Sequence, residues 1–341
     1  MTAPAETSPL EARVGHYYRM DGTYLVGREK LREYARAVQD YHPAHWDVAA
    51  AAELGYSDLV APVTFTSTPG MKCNRRMFES IVVGYDTYLQ TEEVFEQHRP
   101  IVAGDELTID VELTSVRRTA GRDFITVTNT FTDTAGERVH TLHTTVVGVT
   151  AEDIDAGVKT AVQNAMMHDM NILDIPGTDD EYEKELRPEG EVRFASDSRT
   201  PGTPSFDDVK VGDKLPEHHT RLSRGDLVNY AGVAGDANPI HWDEGIAKLA
   251  GLPDVIAHGM LTMGLGAGFH SSWSGDPGAV TRYTVRLSAP AVVSATGGTD
   301  IEFSGRVKSL DEATRSGVVI VAAKSDGKKI FGMATMDVRF R

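Results

Sequence analysis

The sequence is short of the features that mark several common classes of protein. It has one cysteine, Cys73, so no internal disulfide can form, which fits a reducing, cytoplasmic setting. Nowhere do eighteen apolar residues run together, and Met1 to Arg13 has no apolar core, so neither a membrane span nor a signal peptide is expected. Positive charge is scarce: 34 Lys and Arg against 50 Asp and Glu give a formal net charge of −16. That balance favours solubility and disfavours nucleic acid and anionic membrane surfaces as partners, with no basic stripe to offset it. No glycine-rich phosphate loop or nicotinamide fingerprint stands in a strand-to-helix context, so no cofactor is expected.

What the chain does have is a repeat. Its 341 residues are comfortable for two domains of ordinary size. Sliding the sequence against itself by 196, the difference between Asp236 and Asp40, places Tyr34, Ala35, Asp40, Pro43, His45 and Trp46 on Tyr230, Ala231, Asp236, Pro239, His241 and Trp242. With no gap, Gly55, Asp58 and Ala61 then fall on Gly251, Asp254 and Ala257. Each half runs helices first and strands later. Alternating stretches such as Leu107 to Leu113, Phe124 to Phe131 and His140 to Val149 predict antiparallel strands with one buried face. So do Arg282 to Leu287, Asp300 to Val307, Gly317 to Ala323 and Ile330 to Phe340. The order implies an α+β domain, a sheet wrapped on a helix, present twice. The expected division is 1–150, a linker at 151–205 with a short helix at Ala161 to Met170, and 206–341.

The chemistry concentrates in the second half. Asp236 and His241 flank an Asn238-Pro239 turn, where Pro239 fixes φ and Asn238 can bond its own backbone, so the two side chains are held. A carboxylate and an imidazole on a rigid turn suit proton transfer. Downstream, His258-Gly259-Met260 opens an apolar helix whose free amides and positive dipole end can face a developing oxyanion. Gly264, Gly266 and Gly268 interrupt that helix, either for close packing on the sheet or to leave room for an acyl chain. Zinc would need further ligands beside Asp236 and His241, yet His140 and His143 fall on opposite faces of one strand and His218-His219 sit together in an expected turn, so a metal-free site is expected.

The run Gly235-Asp236-Ala237-Asn238-Pro239-Ile240-His241 resembles the signature of the MaoC-like, R-specific enoyl-thioester hydratases and dehydratases. From Phe206 onward, through VGDKLPE, DLVNYAGVAGD, IAHGMLTMG and GKKIFG, the chain resembles the catalytic B subunit of the actinobacterial (3R)-hydroxyacyl-acyl carrier protein dehydratase. From about Val26 to Val149, through REKLREYARAVQ, AAELGY, LVAPVTF and PIVAGDELTIDV, it resembles the non-catalytic, acyl-chain-holding A subunit. The resemblance implies a fused pair with a double hot-dog fold, as a monomer or a homodimer of such pairs. It implies reversible dehydration of (3R)-3-hydroxyacyl thioesters of acyl carrier protein or CoA, in type II fatty acid or mycolic acid elongation. His241 would take the C2 proton, Asp236 would manage the C3 hydroxyl, and the Gly259 amide would hold the thioester oxygen, with Asn238, Pro239 and His258 shaping the site. An R-specific enoyl-CoA hydratase of degradation would share these residues; a non-enzymatic acyl-binding or scaffold protein is the alternative of another class.

The first half keeps Asp40 and His45 but replaces Asn238 by His42, His258 by Pro62 and Gly259 by Val63. A vestigial second site is therefore expected there, with Asp40 and His45 satisfying the turn around Pro43. Pro69-Gly70 is expected to break the first-half counterpart of the glycine-rich helix and open space along the acyl path. Lys72, Arg75 and Arg76, or Lys328 and Lys329, are the only short basic clusters that could meet an acidic carrier.

Overall fold

A computed structural model describes residues 8–85, 87–150, 156–165, 187–202 and 204–341. The first half contributes β1 (Tyr17–Arg19), β2 (Tyr24–Leu25), α1 (Arg28–Ala37), α2 (Val48–Glu53), α3 (Ser67–Arg76), β3 (Thr87–Gln97), β4 (Glu106–Thr119), β5 (Arg122–Thr132) and β6 (Glu137–Val149). The connector carries α4 (Ala156–Ala165) and β7 (Arg193–Phe194). The second half contributes β8 (Lys214–Leu222), α5 (Arg224–Ala234), α6 (Glu244–Leu249), α7 (Gly259–Ser274), β9 (Val280–Leu287), β10 (Thr299–Asp311), β11 (Ser316–Ser325), β12 (Lys328–Lys329) and β13 (Phe331–Arg339). Every predicted alternating stretch lies on one of these strands, apart from Ile330 and Phe340 at the ends of the last. His218 and His219 lie on β8, not in a turn. The linker helix starts earlier than expected, and residues 166–170 lie outside the described residues.

The strands join into one sheet in the order β1-β4-β5-β6-β3-β9-β13-β11-β10-β8. The halves meet edge to edge where β3 pairs antiparallel with β9, Phe95 opposite Tyr283. Each half curls its strands round one helix. A Cβ on Gly266 of α7 would lie 2.6 Å from the Tyr283 hydroxyl, and one on Gly264 would lie 2.4 Å from Val38 Cγ1. Those glycines therefore serve close approach of the sheet and of α1, and the space beside them is already filled.

The repeat read from sequence is a repeat in space. α1 and α5 begin at Arg28 and Arg224, which bind Asp58 and Asp254, residues also 196 apart. Tyr34 and Tyr230 approach one another to 6.4 Å between ring centroids, so equivalent residues meet near the pseudo-two-fold axis.

The expected break at Pro69-Gly70 is absent. α3 runs through both residues because Pro69 is in its first turn, where the missing N–H has no helical partner to lose. The irregularity comes later, as a π-turn at Met77–Ile81. Nor is there a gap: a Cβ on Gly70 would lie 2.9 Å from Leu142 Cδ2 and 3.5 Å from Asn129 Oδ1.

The connector is pinned across both halves. Asp276, fully buried beyond the end of α7, accepts from Tyr56 of the first half and from the Gly202 amide of the connector at 3.1 Å. Arg199 of the connector lies 3.5 Å from the same carboxylate and 3.7 Å above the Tyr56 ring. Breaking a buried ion pair costs about 3–5 kcal/mol when a charge is left unpaired, and here Arg199 keeps Asp197 at 2.8 Å, so that range is an upper bound. Asp276→Ala should lose up to that much in urea unfolding; an unchanged midpoint would show that the clamp adds no stability.

Candidate active site

In both halves a short 3-10 turn after the first long helix, Pro43–His45 and Pro239–His241, delivers the histidine. The proline at its start presets φ, and the preceding side chain caps the turn: His42 accepts from the Ala44 amide, Asn238 from the Ile240 amide. The carboxylate upstream is fixed alike, Asp40 accepting from the His42 amide at 3.1 Å and Asp236 from the Asn238 amide at 3.3 Å. Each imidazole is oriented through Nδ1, which lies 2.7 Å from Val60 O for His45 and 2.8 Å from Ile256 O for His241. A carbonyl can only accept, so Nδ1 carries a proton and Nε2 is the nitrogen left for chemistry.

Beyond that point the copies diverge. His45 Nε2 lies 3.2 Å from Asp40 Oδ2, and the pair is 0 % and 3 % exposed. Ser271 of α7 donates to both Asp40 oxygens at 3.2 Å, and Gly268 leaves only enough room for the Asp40 side chain. Burial opposes the charge on each partner, but the opposite charge, reinforced by hydrogen bonding, outweighs it: Asp40 is held below and His45 above its ordinary pKa. The Asp40 carboxylate thus favours the protonated form of His45, and His45 Nε2 faces it at ion-pair distance without hydrogen-bond geometry.

His241 is in the opposite state. Asp236 is half-buried, and its ligand atoms, those of His241 and those of His258 lie within 4.8 Å of one another without an ion pair closing between Asp236 and His241. Burial lowers the His241 pKa, and the charge of Asp236 and the Ile256 carbonyl offset this only in part. The ring is therefore neutral near pH 7, with Nε2 available as a base. His258 stacks on it, centroids 3.8 Å apart and planes 28° from parallel, and its Nε2 lies 3.3 Å from Asp236 O. Burial and the neighbouring His241 push His258 down to about 2, so it stays neutral. The ligand atoms of Asp236, His241 and His258 are close enough together to hold a cation, with the two imidazoles stacked on one another.

Gly259 is the first residue of α7, and the preceding His258 gives no side-chain cap, so the first amides have no side-chain acceptor. A Cβ at Gly259 would lie 2.7 Å from Leu287 Cδ1 and 2.9 Å from Gln90 Oε1, so any larger residue would have to displace the ends of those two side chains. In the first half the equivalent stretch is not a helix start. α3 begins four residues later, and the amides of Phe65, Ser67 and Thr68 bond the Pro62, Thr64 and Phe65 carbonyls in the preceding turns. Sequence reasoning thus placed Asp236, Asn238, Pro239, His241, His258 and Gly259 together, and they are together. It missed Ser271, Gln90 and Leu287, which reach each site from the other half or an adjacent strand, and Tyr230, whose ring lies 4.9 Å from His258.

Comparison with known proteins gives the class first: two hot-dog domains on one chain. The model for the MaoC like domain matches residues 209–325, and that for the FAS1-like, dehydratase domain region matches residues 12–142. A solved structure described as a MaoC-like dehydratase is 79% identical, with a TM-score of 0.93 over 97% of this chain and 100% of its own. The UPF0336 protein Rv0635 of Mycobacterium tuberculosis is 39% identical over 142 residues, 41% of this chain and 90% of that protein. Rv0216 of the same organism, described as having a double hotdog fold, covers 96% of both chains at 14% identity and a TM-score of 0.61, a likeness of fold alone. The chain belongs to the MaoC-like dehydratase family. Its halves match different family models, which fits a fusion of two related subunits. No helix among the described residues is long and apolar enough to cross a membrane.

The Asp40–His45 pair has a pH signature. The raised His45 value contributes stability that is complete below the ordinary imidazole value of about 6.5 and is lost as pH rises through the folded-state value. The lowered Asp40 value contributes stability that is complete above about 3.8 and is lost as pH falls through its folded-state value. His45→Gln should therefore destabilise most between about pH 4 and 6.5 and progressively less in alkali. Urea unfolding of parent and variant across that range checks it; a pH-independent difference would mean that the pair is not ionised.

Proposed function

We propose that the protein is a (3R)-3-hydroxyacyl-thioester dehydratase, acting reversibly as an enoyl-thioester hydratase, with its one working site in the 206–341 half. The observation that carries this reading is the pairing of a neutral His241, its Nε2 uncommitted, with a half-buried Asp236 and the glycine amide at the start of α7. In dehydration His241 Nε2 takes the C2 proton, and the electron pair moves onto the thioester oxygen at the Gly259 amide. The enolate then re-forms the carbonyl, C2=C3 closes and the C3–O bond breaks. The hydroxyl leaves as water, with its proton supplied by the Asp236–His241 pair. Hydration is the reverse. Dipoles already aimed at the oxygen stabilise the developing charge without reorganisation.

The 1–150 half is read as non-catalytic and as the holder of the distal acyl chain. What supports the first part is the sealed Asp40–His45 pair and the absence of an open helix start there. What supports the second is the position of β3 beside Gly259. The proposed pathway is type II fatty acid or mycolic acid elongation, with acyl carrier protein or CoA as thioester carrier. Of the basic clusters, Arg75 is paired with Glu79 and Arg76 lies over Tyr18, while Lys72, Lys328 and Lys329 are exposed.

Asp236→Asn and His241→Gln should each abolish measurable hydration of a short enoyl thioester such as crotonyl-CoA. Asp40→Asn and His45→Gln should leave the rate per folded molecule close to the parent's while costing stability, since a charge-locked pair with no oxyanion site adds nothing to turnover. Rates and melting temperatures of all four purified variants check this. Equal rate losses in both pairs would mean a second catalyst or one composite site. Matched acyl carrier protein and CoA thioesters in the same assay decide the carrier.

A further inference from the structure

Gln90 belongs to the first half, yet its amide stands at the start of α7 in the second. The Cα–Cβ bond of a helical residue leans toward the helix N-terminus, so the empty side-chain position of Gly259 lies beside the opening toward which its N–H points. Gln90 Oε1 is 2.9 Å from that position. An oxygen accepting from the Gly259 N–H would lie alongside the Gln90 amide.

A defect in β3 puts it there. The pairing of β3 with β6 slips between Gln90 and Glu92: Gln90 faces Val146, whereas Glu92 faces Thr145. One extra residue, Thr91, is accommodated in the strand. Residues three apart on a regular strand point to opposite faces, but the inserted residue returns Gln90 to the same inward face as Glu93. Gln90 Nε2 donates to Glu93 Oε2 at 2.6 Å, and Thr144 Oγ1 of β6 donates to Glu93 Oε1 at 2.7 Å. Glu93 is fully buried.

We propose that Gln90 is a substrate-contacting residue that gives the thioester oxygen a second donor beside the Gly259 amide, and that Glu93 is the positioning residue that decides which end of the Gln90 amide faces the site. The inference rests on the thioester dehydratase reading of that site. An amide turned about its last bond exchanges acceptor for donors. An ionised Glu93 can only accept, so it draws the NH2 of Gln90 to itself and leaves the Gln90 oxygen facing Gly259. A protonated Glu93 donates to that oxygen and turns the NH2 toward the thioester. Burial pushes Glu93 up to about 8, against the pull of its two hydrogen bonds, so the neutral form prevails at pH 7. The charged group acting on it from its own strand is Glu92, itself bound to Arg286 of β9. β6 presents Thr144, β9 presents Val285 opposite, and α7 presents Gly259 after a neutral His258.

Gln90→Met keeps the volume and removes the donor. On crotonyl-CoA it should lose about 10- to 100-fold in kcat/KM, mostly in kcat, per folded molecule, with a lowered melting temperature because buried Glu93 loses that partner. Should that variant fold poorly, Gln90→Ala reads the same loss. From pH 7 to pH 9 the parent's kcat/KM should fall about tenfold as Glu93 ionises. In Glu93→Gln, whose amide donates to Gln90 at any pH, that fall should be absent. A fully active Gln90→Met, or the same alkaline fall in parent and Glu93→Gln, would overturn the inference alone. A parent that hydrates no enoyl thioester overturns the reading of the site and this inference with it.

Discussion

A buried imidazole can act as a base only if one nitrogen is left without a partner, and this chain carries the two possible outcomes 196 residues apart. Both histidines spend Nδ1 on a carbonyl fifteen residues downstream, at 2.7 and 2.8 Å. The fate of Nε2 depends on the distance to the carboxylate. At 3.2 Å, in the dry interior, the Asp40 carboxylate raises the His45 pKa and so disfavours the free base. Where the pair stays open, burial wins and His241 remains neutral. One local motif thus gives a structural lock and a candidate catalyst.

The difference originates across the pseudo-two-fold axis. Asp40 is packed against Gly268 and capped by Ser271, both on α7 of the opposite half. In return the first half sends Gln90 to the start of α7. Each constellation is completed by residues of the other copy, which explains why the halves share one sheet through β3 and β9 and why the connector is fastened to both at Asp276. A fused chain can specialise its two copies separately, and here the divergence from Gly259 to Val63 accompanies a displaced helix start.

Much of this was legible in the sequence because it is local. Proline at the start of each turn, alternation along the strands and the ungapped offset of Gly55, Asp58 and Ala61 from their counterparts can each be read along the chain without knowing what packs against it. The failures were non-local. Pro69-Gly70 reads as a helix break until its place in the first turn is known, and the three glycines of α7 leave open whether they admit substrate or packing until Val38 and Tyr283 are seen filling the space. His218 and His219 read as a turn because their polarity outweighed the edge-strand position of β8. No periodicity could announce Gln90, whose orientation depends on a bulge and on a partner strand from the other half.

The central claim is that a chain with two Asp-His pairs has one site. Calorimetric titration of the full chain with a saturated acyl-CoA that binds but cannot be hydrated tests it most directly. One thioester should bind per chain, lost on Gly259→Val and kept on Asp40→Asn; two equivalent thioesters per chain would mean that both halves hold substrate.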